Sequence, residues 1–271
     1  LVSPILTYFF GIRPQIISWF FLELTVWLVN RLKRAPESKL VFAIPLIILA
    51  WANLHAGFII GIAYLLIIIA IEGMKVFYFK YGKAIENVFL KKSATLTGQI
   101  WKKLLTMTIL SLPLTLINPY GWRVYQEIWQ TLTNSFAGSN IIEWLSPDFK
   151  TFIGQLLLLF IWIIIELIYL RFEMDFTDFV IFIAFMFLAM QSVRHIPLFI
   201  IATAPFLLSA TKPLYDKIID PILRYQFLLW PLTILIFIQV LPSTNILWTI
   251  PVSFSLEKSQ ATAYPSGALA Y

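Results

Sequence analysis

Long apolar runs, broken by short links that carry charge, Gly or Pro, make up most of this chain. Windows of apolar residues bounded by such breaks predict membrane spans at about 15–31, 40–53, 57–77, 103–117, 152–170, 177–192, 196–211 and 225–242. Several of the underlying runs exceed the roughly 18 apolar residues that mark a spanning helix. The opening run LVSPILTYFFGI is too short to span and reads as the exit half of one more helix. Pro14 suits a first helical position, where its missing N–H costs nothing. The expected fold class is therefore all-α: a polytopic transmembrane helix bundle of about eight full spans plus one partial span at the N-terminus.

Composition sharpens this picture by exclusion. Hydrophobic residues make up 60% of the 271 and charged residues 13%, with a mean hydropathy of +0.84. A soluble domain has about 45–50% and about 25% respectively. So much apolar surface does not fit inside one water-soluble core, which excludes a soluble enzyme, a secreted disulfide scaffold and a disordered chain. Cysteine is absent, which removes disulfides, thiolate metal sites and cysteine nucleophiles. The net charge of +6 calls for no nucleic-acid partner, because lysines in cytoplasmic loops account for it. The chain opens on Leu1 inside an apolar run and closes on YPSGALAY after a polar stretch, as expected of an interior piece of a longer protein. On this reading 1–242 is a transmembrane helical domain and 243–271 begins an exterior C-terminal segment.

Lys and Arg set the orientation. Fifteen of the twenty fall on one side: Arg31, Lys33, Arg34 and Lys39; seven lysines from Lys75 to Lys103; Arg171; and Lys212, Lys217 and Arg224. Only Arg13, Arg123, Lys150, Arg194 and Lys258 fall on the other. The richer side is placed in the cytoplasm. The basic stretch Met74–Lys103 is expected to form an amphipathic surface helix there. Two spans are notable. Leu40 to Asn53 would give about 21 Å of helix against a hydrocarbon core of about 30 Å, so it should end in something polar below the outer surface, namely WANLHAG. The helix from Ile196 contains Pro197 and Pro205 and follows Arg194 and His195.

With the spans placed, the unexpected polar residues gather on the exterior face. They are Arg13 in GIRPQ, Asn53 and His55 in WANLHAG, Asn118 in NPYG, Glu143 and Asp148 in EWLSPDF, and Arg194 and His195 in SVRHIPLF. Ionisable groups at membrane depth are costly and by default mark a functional site. Each also has a structural reading. The arginines can snorkel to the interface, a histidine can cap a helix end, and NPYG is a turn signature. Trp51, Trp122, Trp129 and Trp144 fit an interfacial aromatic belt. The adjacent Arg194 and His195 fit a purely structural role least, because two basic groups on the sparsely basic side break the topology rule, and an anionic ligand would offset that cost. Glu173-Met174-Asp175 matches an acidic E-x-D metal pattern, but its parity favours a solvated cytoplasmic turn. Glu23, Glu72 and Glu166 read as isolated acids near or within spans, with no spacing that makes a proton relay. No nucleotide-binding, zinc-protease or hydrolase motif occurs.

Taken together, RPQ, WANLHAGF, NPYG, EWLSPDF and RHIPLF resemble the motif set of a largely uncharacterised family of bacterial multi-pass membrane proteins. That family in turn resembles GT-C type membrane glycosyltransferases, which move a sugar from a polyprenyl-phosphate donor at the outer face. The resemblance implies an exterior site for a lipid-linked sugar, with Arg13, Asn53, His55, Arg194 and His195 binding substrate. Guanidinium offers a bidentate fork for phosphate, and the histidines can donate hydrogen bonds to a leaving phosphate. Candidate catalytic groups are Glu143, Asp148, His55 and His195; Glu143 or Asp148 would hold a divalent cation or orient an acceptor hydroxyl. The GT-C catalytic acid belongs to a first exterior loop ahead of Leu1, so no central acid is assigned. Expected partners are membrane lipids and the polyprenyl-phosphate sugar donor. Two alternatives stand beside the transferase: a transporter or flippase of an anionic lipid or solute, and a non-catalytic structural subunit.

Topology is directly testable. The link Asn118–Lys150 should be exterior and Met74–Lys103 cytoplasmic. A single cysteine at Ser139 should react with an impermeant thiol reagent in intact cells, since no native cysteine competes. Reaction only after lysis would reverse the orientation.

Overall fold

Helices form wherever the apolar runs do. The computed structural model describes residues 14–81, 95–133, 142–169 and 174–214, and among these there are eight α-helices, three short 3-10 turns and no strand. The helices are α1 (Gln15–Arg34), α2 (Ile44–Leu54), α3 (Phe58–Tyr81), α4 (Gly98–Leu114), α5 (Arg123–Thr133), α6 (Phe152–Tyr169), α7 (Phe176–Gln191) and α8 (Ile196–Leu214). The 3-10 turns are Lys39–Ala43, Ile142–Trp144 and Val193–His195. The chain expected to span at 225–242 and the opening apolar run lie outside the described residues.

Three helices are long and apolar enough to cross a membrane by length and composition: Phe58–Tyr81, Phe152–Tyr169 and Val193–Thr211. Lys39–Leu54 and Phe176–Gln191 are apolar but shorter. α1 is long enough, yet Glu23 and a last turn containing Arg31, Lys33 and Arg34 make it too polar by the same measure. The helix expected at 103–117 starts earlier, because Thr97 caps it: the Ile100 N–H donates to Thr97 Oγ1 at 3.4 Å. Pro14 falls one position before its expected place, and its carbonyl accepts the Ile17 N–H.

The core is aliphatic and aromatic. α2 packs against α1, α3 and α4, and α3 packs against α1, α4 and α7. Trp51 is the pivot. It is fully buried, stacks on Phe21 with ring centroids 5.6 Å apart, and occupies the space that a side chain at Gly61 would need. The expectation of an interfacial belt therefore fails for Trp51, whereas Trp122 and Trp129 are exposed.

One end of the bundle carries a buried charge cluster. Lys75 Nζ lies 2.7 Å from Asp175 Oδ2 and 3.1 Å from Glu72 Oε1, and Lys33 Nζ lies 2.8 Å from the same Glu72 oxygen. Thr177 donates to Glu72 Oε1 at 2.7 Å, and the Leu96 N–H donates to Glu72 Oε2 at 2.8 Å. Two cations and two anions thus join the ends of α1 and α3, the start of α7 and the segment leading into α4. Three expectations are corrected here. Glu72 is not isolated, because partners far apart in sequence converge on it. Lys75 is not a loop base but a buried residue of α3, which runs on to Tyr81, so Met74–Tyr81 belongs to that helix rather than to a surface helix. Asp175 is not solvated, because Lys75 holds it inside; Glu173 lies outside the described residues.

Removing one charge from such a cluster leaves an uncompensated buried partner, at a cost of roughly 3–5 kcal/mol. Lys75→Met should lower the thermal stability of the detergent-solubilised protein by that order. Adding Glu72→Gln restores charge balance and should recover much of the loss. Strictly additive losses in the double variant would show that these groups do not act as one cluster.

Candidate functional site

At the opposite end of the same helices lies a cavity of about 510 Å³, within the size range of small-ligand sites. Ser18 and Lys33 are separated by about 22 Å along α1 at 1.5 Å per residue, which puts the cavity and the charge cluster at different ends. α1, α3, α5 and α7 line the cavity with mostly apolar side chains, including Ile60, Phe185 and Leu188. Its polar residues are Gln15, Ser18, His55, Glu127, Thr131, Arg194 and His195.

His55 reaches the wall because α2 ends at it. Its extended backbone breaks the helix, with its N–H still bonded to the Trp51 carbonyl at 2.8 Å. Gly57 follows, and a Cβ there would overlap Ser18 Oγ, so the WANLHAG break packs against α1 only as glycine. The His55 ring sits 2.6 Å from Ser18 Oγ, which also accepts from Trp51 Nε1 at 2.9 Å. Burial of the ring and the nearby positive charge of Arg194 hold the His55 pKa below its ordinary value, so the ring is neutral at pH 7.

Arg194 and His195 are presented by the turn Val193–His195, and EWLSPDF fixes that turn in place. The Val193 N–H donates to the Leu145 carbonyl at 3.0 Å, and Ser192 Oγ donates to the Glu143 carbonyl at 2.8 Å. Trp144 then lies beneath Arg194, whose Cζ is 3.5 Å from the ring centroid, in cation–π contact. A guanidinium seated this way keeps its in-plane N–H donors for other partners. His195 Nδ1 meets the Leu188 carbonyl at 3.2 Å.

The structure thus brings His55, Arg194 and His195 together in one wall. Asn53, Asn118, Glu143 and Asp148 are not among the residues that line the cavity. Asn53 does not line the cavity; its amide donates to the carbonyls of Leu49 and Ile117, tying α2 to the turn before α5. Asn118 organises NPYG: its side chain bonds the Thr115 and Gly121 carbonyls and the Tyr120 N–H, while Gly121 takes φ +55°. Asp148 Oδ1 accepts the Lys150 N–H, and its carbonyl accepts from Thr151, at the start of α6. The side chains of Glu143 and Asp148 do not line the cavity, and among the described residues no three His, Asp or Glu gather as metal ligands. Arg13 lies outside the described residues.

Four polar cavity residues, Gln15, Ser18, Glu127 and Thr131, are missing from the sequence expectations. Ser18 is a lone hydroxyl in an apolar stripe, and nothing local distinguishes it. Gln15 belongs to RPQ, and its amide oxygen is buried with no hydrogen-bond partner among the described residues. Glu127 lies on α5, whose Val124, Ile128, Thr131 and Leu132 face the cavity at helical spacing. That amphipathic period is legible in RVYQEIWQTLT. Comparison with known protein families, with characterised proteins and with solved structures returned no match.

Proposed function

We propose that this chain is a multi-pass protein of the bacterial inner membrane that transfers sugar from a polyprenyl-phosphate donor, in the manner of the GT-C enzymes its motifs resemble. In this reading the expected spans, about eight with the one at 225–242, cross the bilayer, and the cavity faces the exterior.

The observation that carries the proposal is the make-up of the cavity. An apolar wall suits a lipid chain, and an anionic headgroup needs what the polar patch offers: one guanidinium with open donors and two imidazoles. The position of Arg194 beside a span is otherwise costly, and a bound phosphate offsets that cost. Gln15 supports the sugar side, because a buried amide oxygen without a partner among the described residues suits a ligand hydroxyl. Glu127 is a carboxylate lining the same cavity and can orient an acceptor. The Glu143 carbonyl and the Asp148 side chain and carbonyl hold the scaffold around the site.

Replacing Arg194 by Lys preserves charge and removes the planar fork. If the arginine only snorkels, the change is nearly silent, because lysine snorkels as well. If it grips a phosphate, Arg194→Lys weakens binding of a prenyl phosphate by roughly 1–3 kcal/mol, and Arg194→Ala weakens it further. Equal prenyl-phosphate binding by wild type and the lysine variant would return Arg194 to an interfacial role.

A further inference from the structure

The chain contains two histidines, and both line the cavity. Their hydrogen bonds assign their protons in opposite ways. The Gly57 backbone N–H lies 3.0 Å from His55 Nδ1. A backbone N–H can only donate, so His55 Nδ1 carries no proton. Ser18 Oγ, 2.6 Å from the same nitrogen, must then donate too, and Trp51 Nε1–H donates to Ser18 in turn. The neutral His55 ring therefore carries its proton on Nε2. His195 is the reverse case. Its Nδ1 faces the Leu188 carbonyl at 3.2 Å, and a carbonyl can only accept, so His195 Nδ1 holds the proton and Nε2 has the lone pair.

We propose that the two rings form a donor and base pair within one site: His55 Nε2–H donates to the anionic oxygen of the bound lipid phosphate beside Arg194, and His195 Nε2 accepts the proton of the acceptor hydroxyl. This rests on the transferase reading and gives its two chemical tasks to different residues. As the acceptor oxygen forms its bond to the anomeric carbon, its proton passes to His195 Nε2. The bond from that carbon to the phosphate oxygen breaks, and the phosphate leaves with the electron pair, stabilised by His55 and Arg194. Ser18 and Trp51 are positioning residues. Ser18, held by Trp51, fills the Nδ1 side of His55 together with the Gly57 N–H, so the other nitrogen keeps the proton. The remaining charged groups lining the cavity among the described residues are Arg194, adjacent to His195, and Glu127 on α5.

Solid-state NMR of the wild-type chain in bilayers, with 15N in its histidines alone, reads both tautomers without any variant having to fold. Loss of one ring's signals in His55→Gln assigns them. The expected result is an Nε2–H tautomer for His55 and an Nδ1–H tautomer for His195 at neutral pH. Dodecyl phosphate should shift the His55 Nε2–H signal. His195→Gln should lose transfer by about 10²–10⁴-fold. Ser18→Ala should leave the His55 proton on Nε2, because the Gly57 N–H still donates to Nδ1, and should shift the Nδ1 resonance as one of its two donors is lost. Identical tautomers in the two rings, a proton on His195 Nε2, or wild-type transfer in His195→Gln would overturn the pair while leaving lipid-phosphate binding standing. Dodecyl phosphate that shifts neither ring would overturn the reading of the cavity itself, and the pair with it.

Discussion

Four charged side chains are buried together at one end of this protein, and that constraint orders the rest. Lys33, Lys75, Glu72 and Asp175 come from three helices and are up to 142 positions apart in sequence, yet none can leave the others without exposing a bare charge to an apolar interior. Glu72 is held most completely: both lysines, Thr177 and a backbone N–H converge on its two oxygens. The cluster sets the register of α1, α3 and α7 against one another. With that register fixed at one end, the same three helices deliver Ser18, the WANLHAG break and Leu188 to a shared cavity at the other.

The conspicuous motifs divide the work in a way their residue types do not announce. Their acids and asparagines build scaffold. Asn53 and Asn118 tie backbone turns, the Asp148 side chain and carbonyl start a helix, and the Glu143 carbonyl holds Ser192. Among the described residues their basic groups, His55, Arg194 and His195, line the cavity. Trp144, between the two groups, converts the one arrangement into the other by seating Arg194. An apolar cavity with a guanidinium in its polar patch suits an amphiphile with an anionic end, and this is the physical content of the proposed lipid-phosphate site.

The sequence made the helices legible because their apolar runs are long and their breaks carry Pro, Gly or charge. The turn at NPYG and the break at WANLHAG were readable for the same reason. The gathering of His55, Arg194 and His195 followed from counting positive charge and alternating the spans. The charge cluster was not readable: Lys75 looks like any loop lysine until Asp175, 100 positions later, is brought beside it. Trp51 looked interfacial because its partners, Phe21 and Ser18, belong to another helix. Glu127 is legible in the amphipathic period of α5, which sets Val124, Glu127, Ile128 and Thr131 on one face.

The central claim is that the cavity selects an anionic headgroup on an apolar chain. A ligand that binds only the folded state raises the unfolding temperature in proportion to its occupancy. Thermal unfolding of the solubilised chain, titrated with prenyl phosphate and separately with the matching prenyl alcohol, tests that selection with the chain length held constant. The account predicts a concentration-dependent rise with the phosphate that is largely absent with the alcohol and with inorganic phosphate alone. Equal stabilisation by phosphate and alcohol, or none by either, would contradict it.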